Sequence, residues 1–383
     1  MKSETLNPRF RQKTKNCANT FPTINQISSN VMNRTIAIIT GSGGLVGVES
    51  VKFFSSHFDL IIGIDNDSRG YFFGSAGSVS KNIEMLSREI KNYEHYPVDI
   101  RDRTRLNHLF LKYKNNIKLI INAAAQPSHD WSGRHPQEDF EINASGVVNL
   151  LEEMRNNCPE AVFIQLSSSK VYGDSVNRND YIEYEKRYDF PIDHPYYNGF
   201  GEGMMIDQSL HSPYGASKVA SDIMAQEYSR YYGLKIGVFR PNCITGGPHS
   251  GVELHGFLSY LIKCRTTYNV YGYAGKQVRD NIHARDLVYA FFEFFKNPKP
   301  SEVYNIGGGR TNSCSILEAI ELIRDLTGKK INYALIDVPR VGDHIWWISD
   351  NSKFIKHYPD WSLRIGLNEI INEIDENAKR ANK

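Results

Sequence analysis

Short apolar runs alternate with stretches of helical periodicity from Thr35 to about residue 241. The apolar runs have the length and continuity of strands buried on both faces. They occupy residues 36–40, 59–65, 118–122, 161–166 and 235–240. The helical period is carried by residues 45–56, 104–113, 140–155 and 214–232. The alternating order predicts an α/β fold with a doubly wound parallel sheet of the Rossmann type over residues 34–241.

The two ends of the chain differ from this pattern. After residue 242 the alternation loosens, which predicts a smaller α/β substrate domain over residues 242–383, with helices at 315–326 and 367–377 and some elements returning to the first domain. Residues 1–33 have no hydrophobic period and several basic residues against the single acid Glu4. They predict a disordered leader, and an organelle transit peptide is the alternative.

Composition narrows the class of protein. The chain has 383 residues, 40% of them hydrophobic, and a formal net charge of +2, so no field of one sign favours nucleic acid or a membrane surface as a partner. No apolar run reaches the roughly 18 residues that span a bilayer. The five cysteines are scattered without a CxxC pair, which predicts no disulfide framework and no metal site. A cytoplasmic enzyme fits best.

A glycine-rich turn follows the first predicted strand. Gly41, Gly44 and Gly47 form a GxxGxxG pattern that opens a helix, and such glycines let the backbone approach a pyrophosphate at the helix N-terminus. Asp65 ends the second strand, where its carboxylate can accept hydrogen bonds from ribose hydroxyls and repel a 2′-phosphate. The cofactor predicted is therefore NAD rather than NADP, although Arg69 lies nearby. The alternative is a plain glycine turn followed by a turn-forming aspartate.

A tyrosine and a lysine share one face of the long helix predicted from residue 214. Tyr214 and Lys218 are four residues apart, directly after Pro213. A phenol must lose roughly 3 pKa units, about 4 kcal/mol, to act as a base near neutrality, and an adjacent ammonium can supply part of this. Tyr231 and Lys235 have the same spacing, but they fall at the far end of that helix, so position favours Tyr214.

Three serines, residues 167–169, follow the strand that ends at Leu166. A serine here can hydrogen-bond both a substrate hydroxyl and the Tyr214 oxygen, which would complete a Ser, Tyr, Lys set. The alternative is a simple serine-rich turn.

These motifs together resemble the extended short-chain dehydrogenase/reductases across nearly all of residues 34–378. The resemblance rests on the glycine motif, Asp65, Asp99, the Tyr214 and Lys218 pair, and residues 122–126, 167–173 and 279–283. It implies transient oxidation of a sugar carbinol by bound NAD, with Ser168 as the hydroxyl partner of Tyr214 and Lys218. The cofactor contacts it implies are Gly41, Gly44, Leu45, Val46, Gly47, Asp65, Asn66, Asp99, Ile100, Ala123, Ala124, Gln126, Asn143, Tyr214 and Lys218.

Longer stretches sharpen the expected substrate. Residues 124–131, 194–212, 249–258 and 341–350 resemble the CDP-paratose 2-epimerases, which implies a CDP-sugar substrate and inversion at C2. Arginines suit a pyrophosphate. The substrate contacts that the resemblance implies are Arg279 and Arg340 at the pyrophosphate, His255 and Tyr271 at the base, and His129, Trp131, Trp346 and Trp347 around the sugar.

Two departures from related enzymes bear on the reaction. The stretch from Arg240 to Gly246 has Cys243 where many members have asparagine, which points away from UDP-galactose. Ser169 and Lys170 stand where 4,6-dehydratases carry an acidic pair, which argues against elimination. The alternatives are another nucleotide-sugar 4-epimerase or a reductase, and, from a different class, a non-catalytic NAD-binding regulator. A homodimer or homotetramer is compatible with the resemblance.

Overall fold

The computed structural model describes residues 34–247, 251, 256–264 and 266–380, so the predicted leader lies outside it. The strands are β1 (Ile36–Thr40), β2 (Leu60–Ile64), β3 (Tyr93–Tyr96), β4 (Ile117–Asn122), β5 (Val162–Leu166), β6 (Ile182–Glu183), β7 (Tyr188–Asp189), β8 (Lys235–Pro241), β9 (Cys243–Thr245), β10 (Tyr268–Tyr271), β11 (Val278–His283), β12 (Val303–Ile306), β13 (Ser313–Ser315), β14 (Tyr333–Ile336) and β15 (Trp346–Trp347). The helices are α1 (Leu45–Phe54), α2 (Ser68–Phe73), α3 (Ser80–Glu89), α4 (Arg103–Tyr113), α5 (His129–Arg134), α6 (Pro136–Phe140), α7 (Gly146–Asn157), α8 (Ser212–Tyr232), α9 (Phe257–Lys263), α10 (Ala284–Lys296), α11 (Ile316–Thr327), α12 (Ser352–His357) and α13 (Leu367–Arg380).

Seven parallel strands form the main sheet in the order β12-β8-β5-β4-β1-β2-β3. The chain runs outward from β1 to β3 and then returns to the other side of β1 with β4, so the direction of winding reverses between β1 and β4. This arrangement confirms the doubly wound parallel sheet. In such sheets the ligand crevice lies beyond the carboxyl ends of the strands at that reversal.

A row of buried polar side chains ties together the carboxyl ends of β1, β4 and β5. Thr40 Oγ1 donates to Asn122 Oδ1 at 2.6 Å, and Asn122 Nδ2 donates to Gln165 Oε1 at 2.9 Å. All three residues are buried, and buried polar atoms are costly unless they are paired. The row therefore fixes the three strand ends relative to one another.

The strands read as continuous apolar runs because helices cover both faces of the sheet. On one face α1 packs against α10, and Phe54, Phe291 and Phe294 are fully buried in the cluster between the helices and the strands. Phe239 of β8 meets Phe291 edge to face with ring centroids 5.0 Å apart. This aromatic packing supplies much of the apolar area that stabilises the domain.

The sequence pattern did not predict two strands of this sheet. The edge strand β3 reads Tyr-Glu-His-Tyr and is only partly buried, so it lacks the apolar run of a central strand. The strand β12 has four residues and a polar Asn305. The predicted helix 140–155 is also interrupted, because a π-helical turn at Glu141–Ser145 precedes α7.

The C-terminal residues build smaller units. One sheet has the order β13-β11-β15, with β9 also pairing with β11, and β10 pairs with β14 in parallel. The helices α9, α11 and α13 pack around a second apolar cluster. The strand β12, although late in the chain, joins the main sheet. Among the described residues, no helix is both long and apolar enough to cross a membrane.

Candidate active site

A cleft of about 450 Å³ opens beyond the carboxyl ends of β1, β2, β4 and β5. Its walls combine loops of the main sheet with residues of the C-terminal region. The sequence-predicted residues that line it are Gly41, Gly44, Leu45, Val46, Gly47, Asp65, Asn66, Asp99, Ile100, Ala123, Ala124, His129, Ser168, Tyr214, Lys218, Tyr271, Arg279 and Arg340.

The glycine turn is shaped by close backbone approach. Gly41 has a φ of +65°, and a Cβ there would lie 2.8 Å from the Ala123 oxygen. A Cβ at Gly47 would collide with the Gly41 oxygen, whereas one at Gly44 would approach protein atoms no closer than 3.3 Å. The open position is therefore Gly44, which is the N-cap of α1 and carries no side-chain cap. The positive end of α1 consequently faces the cleft and can hold an anion such as a pyrophosphate.

Asp65 directly follows β2 and lies beside this turn. Its two carboxylate oxygens accept hydrogen bonds from the backbone N–H groups of Gly43 at 2.9 Å and Asp67 at 2.8 Å. Burial raises the pKa of Asp65 from its ordinary value. Because each carboxylate oxygen has a further lone pair, Asp65 can still accept from a ligand hydroxyl in the cleft.

A second acidic residue lies on the same side. Asp99 Oδ2 accepts a hydrogen bond from Asn66 Nδ2 at 3.0 Å, and Arg101 forms an ion pair with the same oxygen at 2.8 Å. Burial raises the pKa of Asp99, but the hydrogen bonds from Arg101 outweigh this effect and leave the pKa below its ordinary value. Asp99 lies next to the buried Ile100 in the lining of the cleft. The apolar Ile100 and the anionic Asp99 together suit an adenosine.

The catalytic candidates converge at the other end of the cleft. Helix α8 has Pro213 in its first turn, and Tyr214 and Lys218 follow on one face. Ser168, just past β5, hydrogen-bonds Tyr214, and Lys218 Nζ donates to the Leu166 oxygen at 3.3 Å. Burial raises the pKa of Tyr214 to about 12 and lowers the pKa of Lys218 to about 8. The phenol thus holds its proton in this form, and a further positive charge is needed to make it a base.

Two predicted cofactor contacts lie behind the wall of the cleft instead of in it. Gln126 and Asn143 are buried, and Asn143 Oδ1 accepts from the Gln126 backbone N–H at 2.9 Å. Both side chains donate to Asp139 Oδ1, and Ser217 Oγ donates to Asp139 Oδ2 at 2.5 Å. This buried network contacts α8 at Ser217, the residue before Lys218, and so stabilises the position of the helix there. Asp139 was not among the predicted site residues, although its spacing of four residues from Asn143 places the two on one helical face.

His129 lies against the tyrosine. Its Nδ1 is 2.9 Å from Ser212 Oγ, and its ring centroid is 4.8 Å from that of Tyr214. A Cβ built on Gly342 would lie 3.5 Å from His129 Nδ1. The segment around residue 342 therefore reaches the immediate surroundings of the Tyr214 side chain.

A cluster of charges lines the cleft next to this segment. Arg279 forms an ion pair with Asp343, and Lys170 Nζ lies 3.7 Å from Asp343 Oδ1. Burial raises the pKa of Asp343, but the charges of Arg279 and Lys170 outweigh this and lower the pKa to about 2. Two cations therefore share one carboxylate, which leaves an excess of positive charge in the cleft. The pairing of residues 170 and 343 could not be read from the sequence, because nothing in the pattern joins positions so far apart.

The remaining substrate candidates have mixed outcomes. Arg340 stacks over the Tyr271 ring with its guanidinium carbon 4.5 Å from the centroid, and both line the cleft. His255 lies outside the described residues. The expectation that Trp346 and Trp347 shape the sugar pocket is wrong, because both are fully buried in an apolar cluster.

Trp131 is not among the residues that line the cleft. It packs on His135 with ring centroids 4.3 Å apart and on Phe72 at 5.2 Å, so it joins α5 to α2. Tyr231, the alternative to Tyr214, is 81% exposed, far from the cleft.

The fold and the site together define an extended short-chain dehydrogenase/reductase, and comparison with known proteins gives the family. Residues 38–336 match the family model described as GDP-mannose 4,6 dehydratase. A CDP-paratose 2-epimerase from Salmonella typhi is 31% identical over 348 residues, which is 88% of this chain and 97% of that protein. The chain therefore belongs to this family of NAD-dependent nucleotide-sugar epimerases and dehydratases.

Other relatives agree in fold. A UDP-glucuronate 4-epimerase from Thermodesulfobacterium geofontis is 25% identical over 347 residues, which is 89% of this chain and 97% of that protein. The crystal structure of a Bifidobacterium longum UDP-glucose 4-epimerase in complex with NAD+ and UDP matches with a TM-score of 0.73 at 22% identity, covering 91% of this chain and 99% of that one. A Bacillus cereus UDP-glucuronic acid 4-epimerase, solved with UDP-glucuronic acid and NAD, matches with a TM-score of 0.71 at 20% identity, covering 91% and 100%.

Proposed function

We propose that this protein is an NAD-dependent epimerase that converts CDP-paratose to CDP-tyvelose by inverting C2 of the sugar. The observation that carries the proposal is the convergence of Ser168, Tyr214 and Lys218 at one end of a cleft whose other end offers the glycine turn and Asp65. The cleft fits NAD, because the uncapped N-terminus of α1 suits the pyrophosphate and Asp65 suits an adenosine ribose without a phosphate.

Ser168, Tyr214 and Lys218 have separate roles in the proton transfer. When bound, NAD supplies the reversible hydride acceptance by which a carbon is oxidised and then reduced from its opposite face. Ser168 Oγ and Tyr214 Oη hold the carbinol hydroxyl, and Tyr214 takes its proton. The pKa of Tyr214 is about 12 with Lys218 already beside it, so the positive charge that NAD supplies when bound is needed together with the Lys218 ammonium to stabilise the phenolate. After the sugar has turned over, Tyr214 returns the proton to the same oxygen.

The choice of epimerisation at C2 has three supports. The Salmonella typhi relative is a CDP-paratose 2-epimerase. Cys243 lines the cleft where many family members that act at C4 have an asparagine. Lys170, a cation, also lines it where the dehydratases have an acid for elimination.

Arg279 and Arg340 supply positive charge for the pyrophosphate, and Tyr271, stacked under Arg340, offers a face for the base.

The test is proton NMR of the purified protein with CDP-paratose and no added cofactor. The anomeric signal of CDP-tyvelose should appear, because NAD is carried by the protein and no net oxidation occurs. The matched control is Tyr214→Phe, which keeps the ring and removes only the hydroxyl. No product from the native protein, with NAD found by denaturing extraction, would reject CDP-paratose as the substrate and direct the search to other nucleotide sugars and to C4.

UDP-sugars form the second candidate class, because the similar solved structures are UDP-sugar 4-epimerases. The same experiment with UDP-glucose and UDP-glucuronate separates the two. Turnover of either with inversion at C4, and none of CDP-paratose, would replace the proposal by a 4-epimerase.

A further inference from the structure

Lys170 has no part in the proton transfer described above, yet it lies close to it. The residue follows Ser168 by two positions, and its backbone N–H donates to Ser168 Oγ at 3.2 Å. The two residues therefore belong to one turn, and both line the cleft. Lys170 is thus placed to meet atoms of a ligand whose hydroxyl is bound by Ser168.

The Lys170 ammonium group has protein partners, but they do not use all three of its N–H donors. Its Nζ donates to the Gly342 oxygen at 3.0 Å and lies 3.7 Å from Asp343 Oδ1. The Lys170 side chain is only 15% exposed, and burial lowers the pKa of Lys170 to about 8. An ammonium has three N–H donors, so one remains for a ligand in the cleft.

The wall that holds Lys170 is continuous with the reacting tyrosine. Gly342, the acceptor of the ammonium, borders His129, and the His129 ring lies against Tyr214. Lys170 is thus separated from the phenol by only two intervening residues. The Arg340 side chain, by contrast, stacks on Tyr271 of β10.

Charge and flexibility also favour a role on the sugar. Asp343 is already paired with Arg279, so the Lys170 charge is only partly neutralised. A lysine has a flexible stem with a compact charge at its end. A sugar that turns over presents different oxygens beside the fixed carbinol in its two poses, and such a side chain can follow both.

We propose that Lys170, anchored by Gly342 and Asp343, is a sugar-orienting residue that donates a hydrogen bond to a sugar oxygen next to the carbon held by Ser168 and Tyr214. The proposal rests on the proposed function insofar as the ligand is a nucleotide sugar. It assigns Lys170 to the sugar and leaves the nucleotide to other residues.

The test compares the affinity for a nucleotide sugar with the affinity for the nucleotide alone. Isothermal titration gives the Kd of CDP and of CDP-glucose, and in parallel of UDP and UDP-glucose, for the holoenzyme and for Lys170→Met. We expect the Kd ratio of nucleotide to nucleotide sugar to fall about tenfold in the variant, as for loss of a hydrogen bond from a charged group. The Kd of the free nucleotide should not change.

The chain offers a matched control in Lys353→Met. Lys353 also pairs with one backbone oxygen, that of Val303 at 2.7 Å, and one carboxylate, Glu302 at 2.7 Å, but it lies outside the cleft. This variant should leave all four Kd values unchanged. If Lys170→Met does not fold, Lys170→Gln, which stays polar but loses the charge, takes its place.

Several results would overturn the inference. These are an unchanged sugar contribution in the Lys170 variant, an equal loss for nucleotide and nucleotide sugar, or no sugar contribution in the native protein with either pair. A native protein that shows the sugar contribution but does not epimerise CDP-paratose would reject the proposed function and leave the role of Lys170 standing.

Discussion

The buried ion pair behind the active site gives a prediction whose size follows from its geometry. Asp222, on α8, accepts from Arg240 Nε at 2.8 Å and from Arg240 Nη2 at 2.7 Å, and the two side chains are 0% and 5% exposed. The carboxylate also accepts hydrogen bonds from Ser167 Oγ and Gln226 Nε2. Asp222 therefore joins the turn next to Ser168 to the helix that carries Tyr214 and Lys218.

The perturbation is Asp222→Asn, which keeps the shape of the side chain and leaves Arg240 buried without its counter-charge. Removing one partner of a buried pair costs about 3–5 kcal/mol, and the amide's remaining hydrogen bonds favour the lower end. For a chain of this size the unfolding entropy is about 0.7 kcal/mol/K, so each kcal/mol lowers Tm by about 1.4 °C and we expect a fall of about 4 °C.

The assay is thermal unfolding at pH 7.5 with saturating NAD, and the control is Asp325→Asn. Asp325 pairs with Arg324 at 2.9 Å, but both side chains are more than half exposed, so this change should have little effect. A fall in Tm below about 2 °C for Asp222→Asn, or one equal to the control, would refute the reasoning that burial makes this pair matter.

Three further predictions concern the site and its supports. Tyr214→Phe should lower turnover of the substrate by about 100-fold or more with its NAD content unchanged, and a loss below tenfold would exclude Tyr214 as the base. Asp65→Ser should lower the preference for NAD over NADP, measured as the ratio of the two Kd values, at least tenfold, because the carboxylate that repels the 2′-phosphate is gone; an unchanged ratio would contradict this. The hydrogen bond with His283 lowers the pKa of Glu373 to about 2, so the stability it adds is complete above about pH 4.5 and is lost as pH falls toward 2. The Tm difference between the native protein and Glu373→Gln should shrink across that window, and a constant difference would show that the charge of Glu373 is not its cause.

The sequence predicted those parts of the molecule that local patterns encode. Central strands such as β1 are unbroken apolar runs, and the glycine turn has a spacing that few other structures require. The edge strand β3 was missed because partial exposure allows polar residues. Trp346 and Trp347 were misplaced because residue type does not tell a pocket wall from the core behind it.

Contacts in the candidate site could be predicted from the sequence only where both residues belong to one helix or strand. The spacing of Tyr214 and Lys218 is local to one helix and could be read directly. The neutralisation of Asp343 by Arg279 and Lys170 joins three distant segments, so only the folded chain shows it. The burial of Gln126 and Asn143 around Asp139 is likewise a product of packing.

The row of Thr40, Asn122 and Gln165 has a consequence for how substrate preference can change. Parallel strands lie about 4.8 Å apart, so two steps of the sheet set a span of roughly 10 Å between the end of β1 and the end of β5. The strands thus set most of the distance between the turn after β1, which would hold the cofactor, and the serine after β5, which would hold the sugar. Segments 127–135 and 339–344 lie outside this sheet, so we expect that replacing them with those of a relative would change which sugar binds and leave this distance the same.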